Sequence, residues 1–330
     1  MKKSLVALAV SSAAFASISA YAAEDTTVGF FGNIQYAYVT KDPKVGNNTN
    51  AFEDNGSSFG FKGESKVSDM TTAYFYVKYK VPATRNATTG TSAGDIKFKM
   101  DKAFVGLKGD FGNVKVGSFD SIYNDAIQDP IDQLEYISMT NNKTSAKGKT
   151  VAYFSPTISG FQVQVSAGLG EDDGTGVKSI QSNSNTTYTG VVKYSNDLVT
   201  VALGYDSLTN QNKATVGAAN ALGDTVGITA TVMPIENLSV SGKYEKTSDA
   251  DSSNAGKKAF GLATRYGYGM GDMYASYENV KPDAAGSDDF NEYAFGVTYS
   301  INSSMYVYTE LGRLTSNKVK TTAMGVTYSF

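Results

Sequence analysis

The sequence predicts an all-β fold: a transmembrane antiparallel up-and-down β-barrel of about 16 strands, in one domain. Three observations predict it. Apolar and polar residues alternate with period 2 through segment after segment. The connections between segments alternate between short turns and long polar loops. The two ends of the chain carry export-type and membrane-type features. Phe161, Val163, Val165, Ala167 and Leu169 alternate with Gln162, Gln164, Ser166 and Gly168, and Tyr293, Phe295, Val297, Tyr299 and Ile301 with Ala294, Gly296, Thr298 and Ser300. Such alternation marks a strand whose two faces meet different surroundings.

Taken in order, the chain opens with Lys2 and Lys3, an apolar stretch from Leu5 to Ala20, and the small-residue signal Ala20-Tyr21-Ala22. Residues 1–22 therefore read as a cleaved signal peptide, leaving 23–330 as the barrel. The apolar stretch is too short to span about 30 Å of hydrocarbon. The strands are expected at 27–40, 57–67, 72–82, 95–108, 113–119, 149–155, 161–169, 186–195, 198–207, 224–233, 238–247, 257–268, 272–280, 291–300, 305–314 and 320–330. Each is near the ten residues a tilted membrane strand needs. Short joints such as Ser68-Asp69, Asn196-Asp197 and Gly269-Met270-Gly271 supply the residues that tight turns require. Longer polar loops are expected at 41–56, 83–94, 120–148, 170–185, 208–223, 248–256, 281–290 and 315–319. The last strand turns Met324, Val326, Tyr328 and Phe330 to one face and Thr327 and Ser329 to the other. It is expected to close the sheet against Val28 to Ile34, with the apolar set towards lipid.

Composition narrows the function. There is no His, which removes His-based triads, His-ligated zinc and His general bases. There is no Cys either, so the chain folds on packing and strand pairing alone. Removing residues 1–22 takes away Lys2 and Lys3 and no acid, moving the formal charge from −3 to −5. That mild acidity argues against a nucleic-acid partner. No motif calls for a cofactor or a metal. Asp249-Ala250-Asp251 lacks the Gly and Glu offsets of a calcium loop. A soluble β-sandwich would show the same alternation. The signal peptide, the regular connections and the aromatic last strand favour lipid. So do the tyrosines near strand ends, among them Tyr36, Tyr38, Tyr188, Tyr205 and Tyr266, which suit interfacial girdles.

Several stretches resemble one family. Gly106-Leu107-Lys108-Gly109-Asp110-Phe111-Gly112-Asn113-Val114-Lys115-Val116-Gly117 is similar to the strand-turn-strand ahead of the constriction loop in trimeric, 16-stranded general porins of Gram-negative outer membranes. Val151-Ala152-Tyr153-Phe154-Ser155-Pro156, with Gly160-Phe161, resembles the segment that resumes the barrel after it. Val28-Gly29-Phe30-Phe31-Gly32 is similar to the family's first strand. The resemblance implies an outer-membrane homotrimer in contact with lipid and lipopolysaccharide. It implies that loop 120–148 folds inwards as a constriction. It also implies that Tyr328 and Phe330 belong to an assembly signal read by the barrel-assembly machinery. Where the family often has Arg before A-F-V-G-L this chain has Asp101, and Ser118 stands at a second usually basic position. A basic wall here must be built from lysines.

The candidate site follows. Loop 120–148 carries Asp120, Asp125, Asp129, Asp132 and Glu135. Lys62, Lys66, Lys78, Lys80, Lys97, Lys99 and Lys115 occupy the polar face of the early strands. Lysine at the lipid midplane costs about 2–4 kcal/mol, so alternation puts them inwards. Acids facing lysines across a narrow aqueous gap make a transverse field that admits ions and small hydrophilic solutes and disfavours apolar ones. The long-loop acids Glu171, Asp172, Asp173, Asp249, Asp251, Asp288 and Asp289 raise the local cation concentration at the outer mouth and lean the channel towards cations, while the wall lysines act the other way. No covalent chemistry is expected. The alternatives are a solvated external acidic loop, a solute-specific channel of the same fold, or a closed-lumen adhesin or anchor.

Overall fold

A computed structural model describes residues 26–81, 98–139, 148–169, 186–207, 223–248, 256–284, 286–315 and 318–330. Among them, every ladder joins one antiparallel sheet. The barrel strands are β1 (Thr26–Asp42), β2 in two pieces (Thr49–Asp54 and Ser58–Ser68), β3 (Thr71–Lys80), β4 (Lys99–Gly109) and β5 (Gly112–Ser118). After a long inner loop come β6 (Thr150–Phe154), β7 (Phe161–Gly168), β8 (Thr187–Ser195), β9 (Val199–Asp206), β10 (Thr225–Ile235) and β11 (Leu238–Thr247). The wall ends with β12 (Lys257–Gly267), β13 (Asp272–Pro282), β14 (Phe290–Ser300), β15 (Met305–Leu314) and β16 (Val319–Ser329). β16 pairs with β1 as well as with β15, so the sheet closes. Closure removes the two outer edges of the sheet and pairs the backbone groups that hydrocarbon would leave without partners.

The closing ladder differs from expectation. It starts at Gly32, whose backbone exchanges hydrogen bonds of 2.9 and 3.0 Å with Phe330. It then runs from Asn33↔Ser329 to Asp42↔Lys320, so the pairing begins at the end of the expected Val28 to Ile34 stretch and extends through the second half of β1. Thr26 to Asn33 pair instead with the second piece of β2 on the other flank. Tilt and stagger between neighbouring strands, which any closed barrel needs, produce this offset. Phe330 covers the seam outside: its ring sits 5.5 Å from Phe30, and a Cβ at Gly32 would lie 2.6 Å from it.

Two strand starts also differ. The segment expected as loop 41–56 contains the first piece of β2, which pairs with Tyr36 to Lys41. The break after it is held by local polar bonds: Asp54 accepts from the Gly56 and Ser57 amides, and Ser57 Oγ accepts from the Gln35 amide at 2.9 Å. In β4 the register steps from Lys78↔Lys102 to Tyr79↔Met100, leaving Asp101 as an extra residue. Such a bulge re-aims the side chains around it. β4 begins at Lys99 rather than residue 95; residues 95–97 lie outside the described set.

The two faces separate as predicted. Val105, Leu203, Phe295, Met324 and Tyr328 point outwards and are exposed on the isolated chain, while Ala202, Ala294, Ala323 and Thr327 between them are buried. Leu203→Lys is therefore expected to lower stability by about 2–4 kcal/mol, whereas Gln164→Lys on the inner face changes it by under about 1 kcal/mol. Urea unfolding in lipid bilayers measures both. Equal effects would contradict this assignment of faces.

Candidate functional site

After β5 the chain leaves the wall and packs along the inside. Phe119, Ile122, Tyr123, Ile127, Ile131 and Met139 are buried. Ile122 and Tyr123 begin one helical turn that continues as a short π-helix, Asn124–Gln128. Its apolar side meets the inner wall of β8 to β10, with Ala152, Val191 and Ala202 in the same cluster. The wall makes room where side chains are missing. A Cβ at Gly204 would lie 2.8 Å from both Ile127 and Tyr123, and one at Gly227 would lie 2.3 Å from the Tyr123 hydroxyl. Further on, Ile131 packs with Ala263 and Ala294, while Tyr136 packs with Ala37, Val39 and Ala323. The loop thus follows the inner wall from β8 round to β16 and β1.

Polar side chains of the wall hold the loop backbone. Thr229 Oγ1 donates to the Ile127 carbonyl at 2.7 Å, and Ser276 Oγ to that of Ile131 at 2.6 Å. Arg265 donates to the Gln133 carbonyl at 3.2 Å. Glu245 accepts from the Tyr123 hydroxyl at 2.9 Å and Gln128 Nε2 at 3.0 Å. Glu310 is fully buried and accepts from three successive loop amides, those of Glu135, Tyr136 (3.1 Å) and Ile137 (2.8 Å), and from the Tyr274 hydroxyl at 2.9 Å. Asn55, from the break in β2, donates to the Glu135 carbonyl at 2.9 Å. Beside Ile131, Lys243 and Glu278 form a fully buried ion pair of 3.3 Å.

The predicted acids divide into two groups. Asp120, Asp125 and Asp129 stand near the loop's start and interact with one another. Asp120 pairs with Lys102, and Asp125 acts electrostatically on Lys115. Protein crowding around Asp129, and then the Asp125 charge, push its carboxyl up to about 6. Glu135 stands apart. It meets Arg265 at 3.7 Å and accepts from the Tyr306 hydroxyl at 2.8 Å, so it joins the anchoring network rather than facing the lysines. Burial raises its pKa, resisted by Tyr306 and Arg265. Asp132 lies between the groups, its amide bonded to the Gln128 carbonyl at 3.3 Å.

The lysines divide too. Lys78 and Lys80 reach Asp101 at 3.5 and 3.9 Å, and Lys99 lies opposite Lys80 in register. Lys115 sits 4.0 Å from the centroid of Phe119, at the root of the inner loop. Lys62 lies 5.8 Å over Phe31. Lys66 pairs with Asp69 in the β2–β3 turn at 2.7 Å, so it sits at the short-turn rim, away from the loop. Lys97, like loop residues 140–147, lies outside the described set. The sequence reading missed Lys102, because the bulge at Asp101 shifts the alternation that would have pointed to it. It also missed Arg265, Glu245, Glu278 and Glu310. All four fall on inward positions of strands that were correctly drawn, and charge at such positions was the available signal.

This geometry, a closed membrane barrel whose longest described inner segment is fixed along its inner wall, defines an outer-membrane channel protein. The comparisons give the family. The model for the Gram-negative porin family matches residues 5–319. A "Monosaccharide porin" of Halomonas is 32% identical over 378 aligned residues that cover 100% of both chains. Among solved structures, the anion-selective porin from Comamonas acidovorans superposes with TM-score 0.74 at 16% identity, covering 93% of this chain and 100% of that one. The trimer form of OmpT from Vibrio cholerae superposes with TM-score 0.66 at 16% identity, covering 93% and 100%. The chain belongs to the Gram-negative porin family. It is an outer-membrane porin that forms a passive diffusion channel.

The anchoring network makes a direct prediction. Glu310→Gln leaves three loop amides with a neutral acceptor in place of a charged one. A hydrogen bond to a charged group is worth about 1.5–3 kcal/mol, so hydrogen exchange at the Glu135, Tyr136 and Ile137 amides should speed up roughly tenfold to a hundredfold. Unchanged protection would remove Glu310 as the anchor.

Proposed function

We propose that the channel is filtered where the inner loop passes the lysine wall. Asp120, Asp125 and Asp129 form the acidic side, and Lys78, Lys80, Lys99, Lys102 and Lys115 the basic side. The Lys102–Asp120 ion pair, which ties the loop root to the neighbouring lysine-bearing strand β4, carries this reading. Charge of both signs across a gap with low-dielectric walls creates a strong transverse field. Ions and small hydrophilic solutes exchange bulk water for these groups, whereas an apolar solute displaces oriented water without replacement. Asp132 and Glu135 serve the loop's attachment more than the filter. Asp101 offsets Lys78 and Lys80, which leaves the loop acids to set a weak cation preference. Recording Asp125→Asn with Asp129→Asn in planar bilayers should shift the reversal potential towards anions with little change in conductance. An unshifted potential would remove both acids from the filter.

Acidity offers a second test. Asp129 titrates at about 6, above the usual carboxylate range, so it is charged at pH 7 and neutral at pH 5. Cation preference should therefore fall as pH drops from 7 to 5, with a midpoint near 6. Asp129→Asn should flatten that step. A midpoint near 4 in the native channel would contradict the assignment.

The remaining expectations belong to the same proposal. Residues 1–22 act as the signal peptide, and Tyr328 and Phe330 as the assembly signal. The working form is a homotrimer in contact with outer-membrane lipid and lipopolysaccharide, in keeping with the trimer form of the Vibrio relative. The "Monosaccharide porin" of Halomonas favours small sugars among the solutes carried.

A further inference from the structure

The inner wall of β1 to β4 carries rings, and the last of them, Phe104, meets the loop's Phe119 edge-on at 5.8 Å. Phe31 on β1, Tyr76 and Tyr74 on β3, and Phe104 on β4 take inward positions, each half-buried. They form a connected strip. Phe31 and Tyr76 have centroids 5.0 Å apart, Tyr76 and Phe104 5.2 Å, and Tyr74 and Phe104 6.3 Å. The planes of Tyr76 and Phe104 differ by only 9°, so the two rings present nearly parallel, offset faces. Two of the rings lie down on the wall because glycine lets them. A Cβ at Gly60 would come within 2.5 Å of the Phe31 ring, and one at Gly106 within 2.4 Å of the Tyr74 ring.

The strip adjoins the charged gap. Tyr76 precedes Lys78 by two residues on β3, so its position is about 7 Å further towards the short-turn rim. Phe104 follows Lys102 in the same way on β4. Polar groups edge the strip: the Tyr74 hydroxyl donates to Asn113 at 2.6 Å, and Lys108 forms an ion pair of 2.6 Å with Glu64. Lysine ammoniums lie over three of the rings, Lys62 5.8 Å from the Phe31 centroid, Lys108 5.9 Å from that of Tyr74 and Lys115 5.0 Å from that of Phe104. Ring faces set among donors of this kind match a solute with one face of C–H bonds and a rim of hydroxyls that can accept from the ammoniums. The negative face of an aromatic ring attracts weakly positive C–H groups. The edge groups are hydrogen-bond partners for the hydroxyls.

We infer that Phe31, Tyr76, Phe104 and Tyr74 form a stacking site for a neutral pyranose sugar on the short-turn side of the charged gap. The inference rests on the channel reading above and adds a site of residence to it. A sugar passing the gap meets the rings within one residue pair and pauses there. Transport of the right ring then saturates, while ions and acyclic polyols of similar mass do not.

The test uses the full-length native porin in planar bilayers and in liposomes. Glucose should lower unitary ion conductance in a saturable manner, and glucose-driven swelling should level off with concentration. Mannitol, which has the hydroxyls but no ring, should give neither effect. Phe31→Leu with Tyr76→Leu, which leaves the loop root untouched, should raise the half-saturating glucose concentration about tenfold. Tyr76→Phe, which keeps the ring, should restore it to within about twofold of native. Salt conductance and reversal potential should stay near native in all of them, which also reports that the variants fold. A linear glucose response in the native channel would overturn the site while leaving the channel reading standing. So would equal block by mannitol, stronger block by benzoate than by glucose, or no effect of the double variant. Absence of salt conductance in the native protein would instead overturn the channel reading itself.

Discussion

Everything in this molecule depends on closing the backbone ladder between β1 and β16. Inside hydrocarbon, each unpaired N–H or C=O costs several kcal/mol, so an open sheet cannot persist there. The ladder from Gly32 with Phe330 to Asp42 with Lys320 removes both edges at once. Once the sheet is closed, the same alternation that satisfies lipid outside creates a polar interior. That interior is where function has to be built.

What fills the interior is organised by a division of labour around the wall. β8 to β15 offer small residues and inward-facing acids, and the loop lies against them. Glycines at 204 and 227 seat Tyr123 and Ile127, while Glu245 and Glu310 take the loop's donors. A carboxylate accepting several backbone amides is a strong anchor in a partly buried setting. The wall from β1 to β5 meets the loop only near its root, at Phe104 and Lys102, and near Tyr136, at Ala37 and Val39, and between these contacts it carries lysines and rings. The space for solutes is thus bounded by a fixed acidic loop on one side and a basic, aromatic wall on the other.

Much of this was legible in the sequence, for a physical reason. Period-2 alternation reports directly on two different environments, so strands such as 161–169 and 291–300 emerged close to their observed bounds. The second strand was cut short because Thr49–Asp54 is too brief and polar to show alternation, and its pairing with β1 is a long-range fact. Lys102 stayed hidden because one extra residue at Asp101 breaks the period locally. In the loop, the acids drew attention as chemistry. The spacing of Phe119, Ile122, Tyr123, Ile127 and Ile131 was the stronger structural signal, since a buried face at such intervals needs a partner surface. Nothing local in the sequence reveals that Glu135 turns towards Arg265, which comes from the far side of the barrel.

The central claim is a closed, water-filled barrel narrowed from within by a loop fixed to its wall. Unitary conductance in planar bilayers tests it most directly, comparing the native chain with one in which residues 121–147 are replaced by a short Gly/Ser linker. The account predicts discrete conductance steps from both, with larger steps and weaker exclusion of large solutes from the shortened chain. Native protein that inserts without conducting, or a shortened chain with native step size, would contradict it.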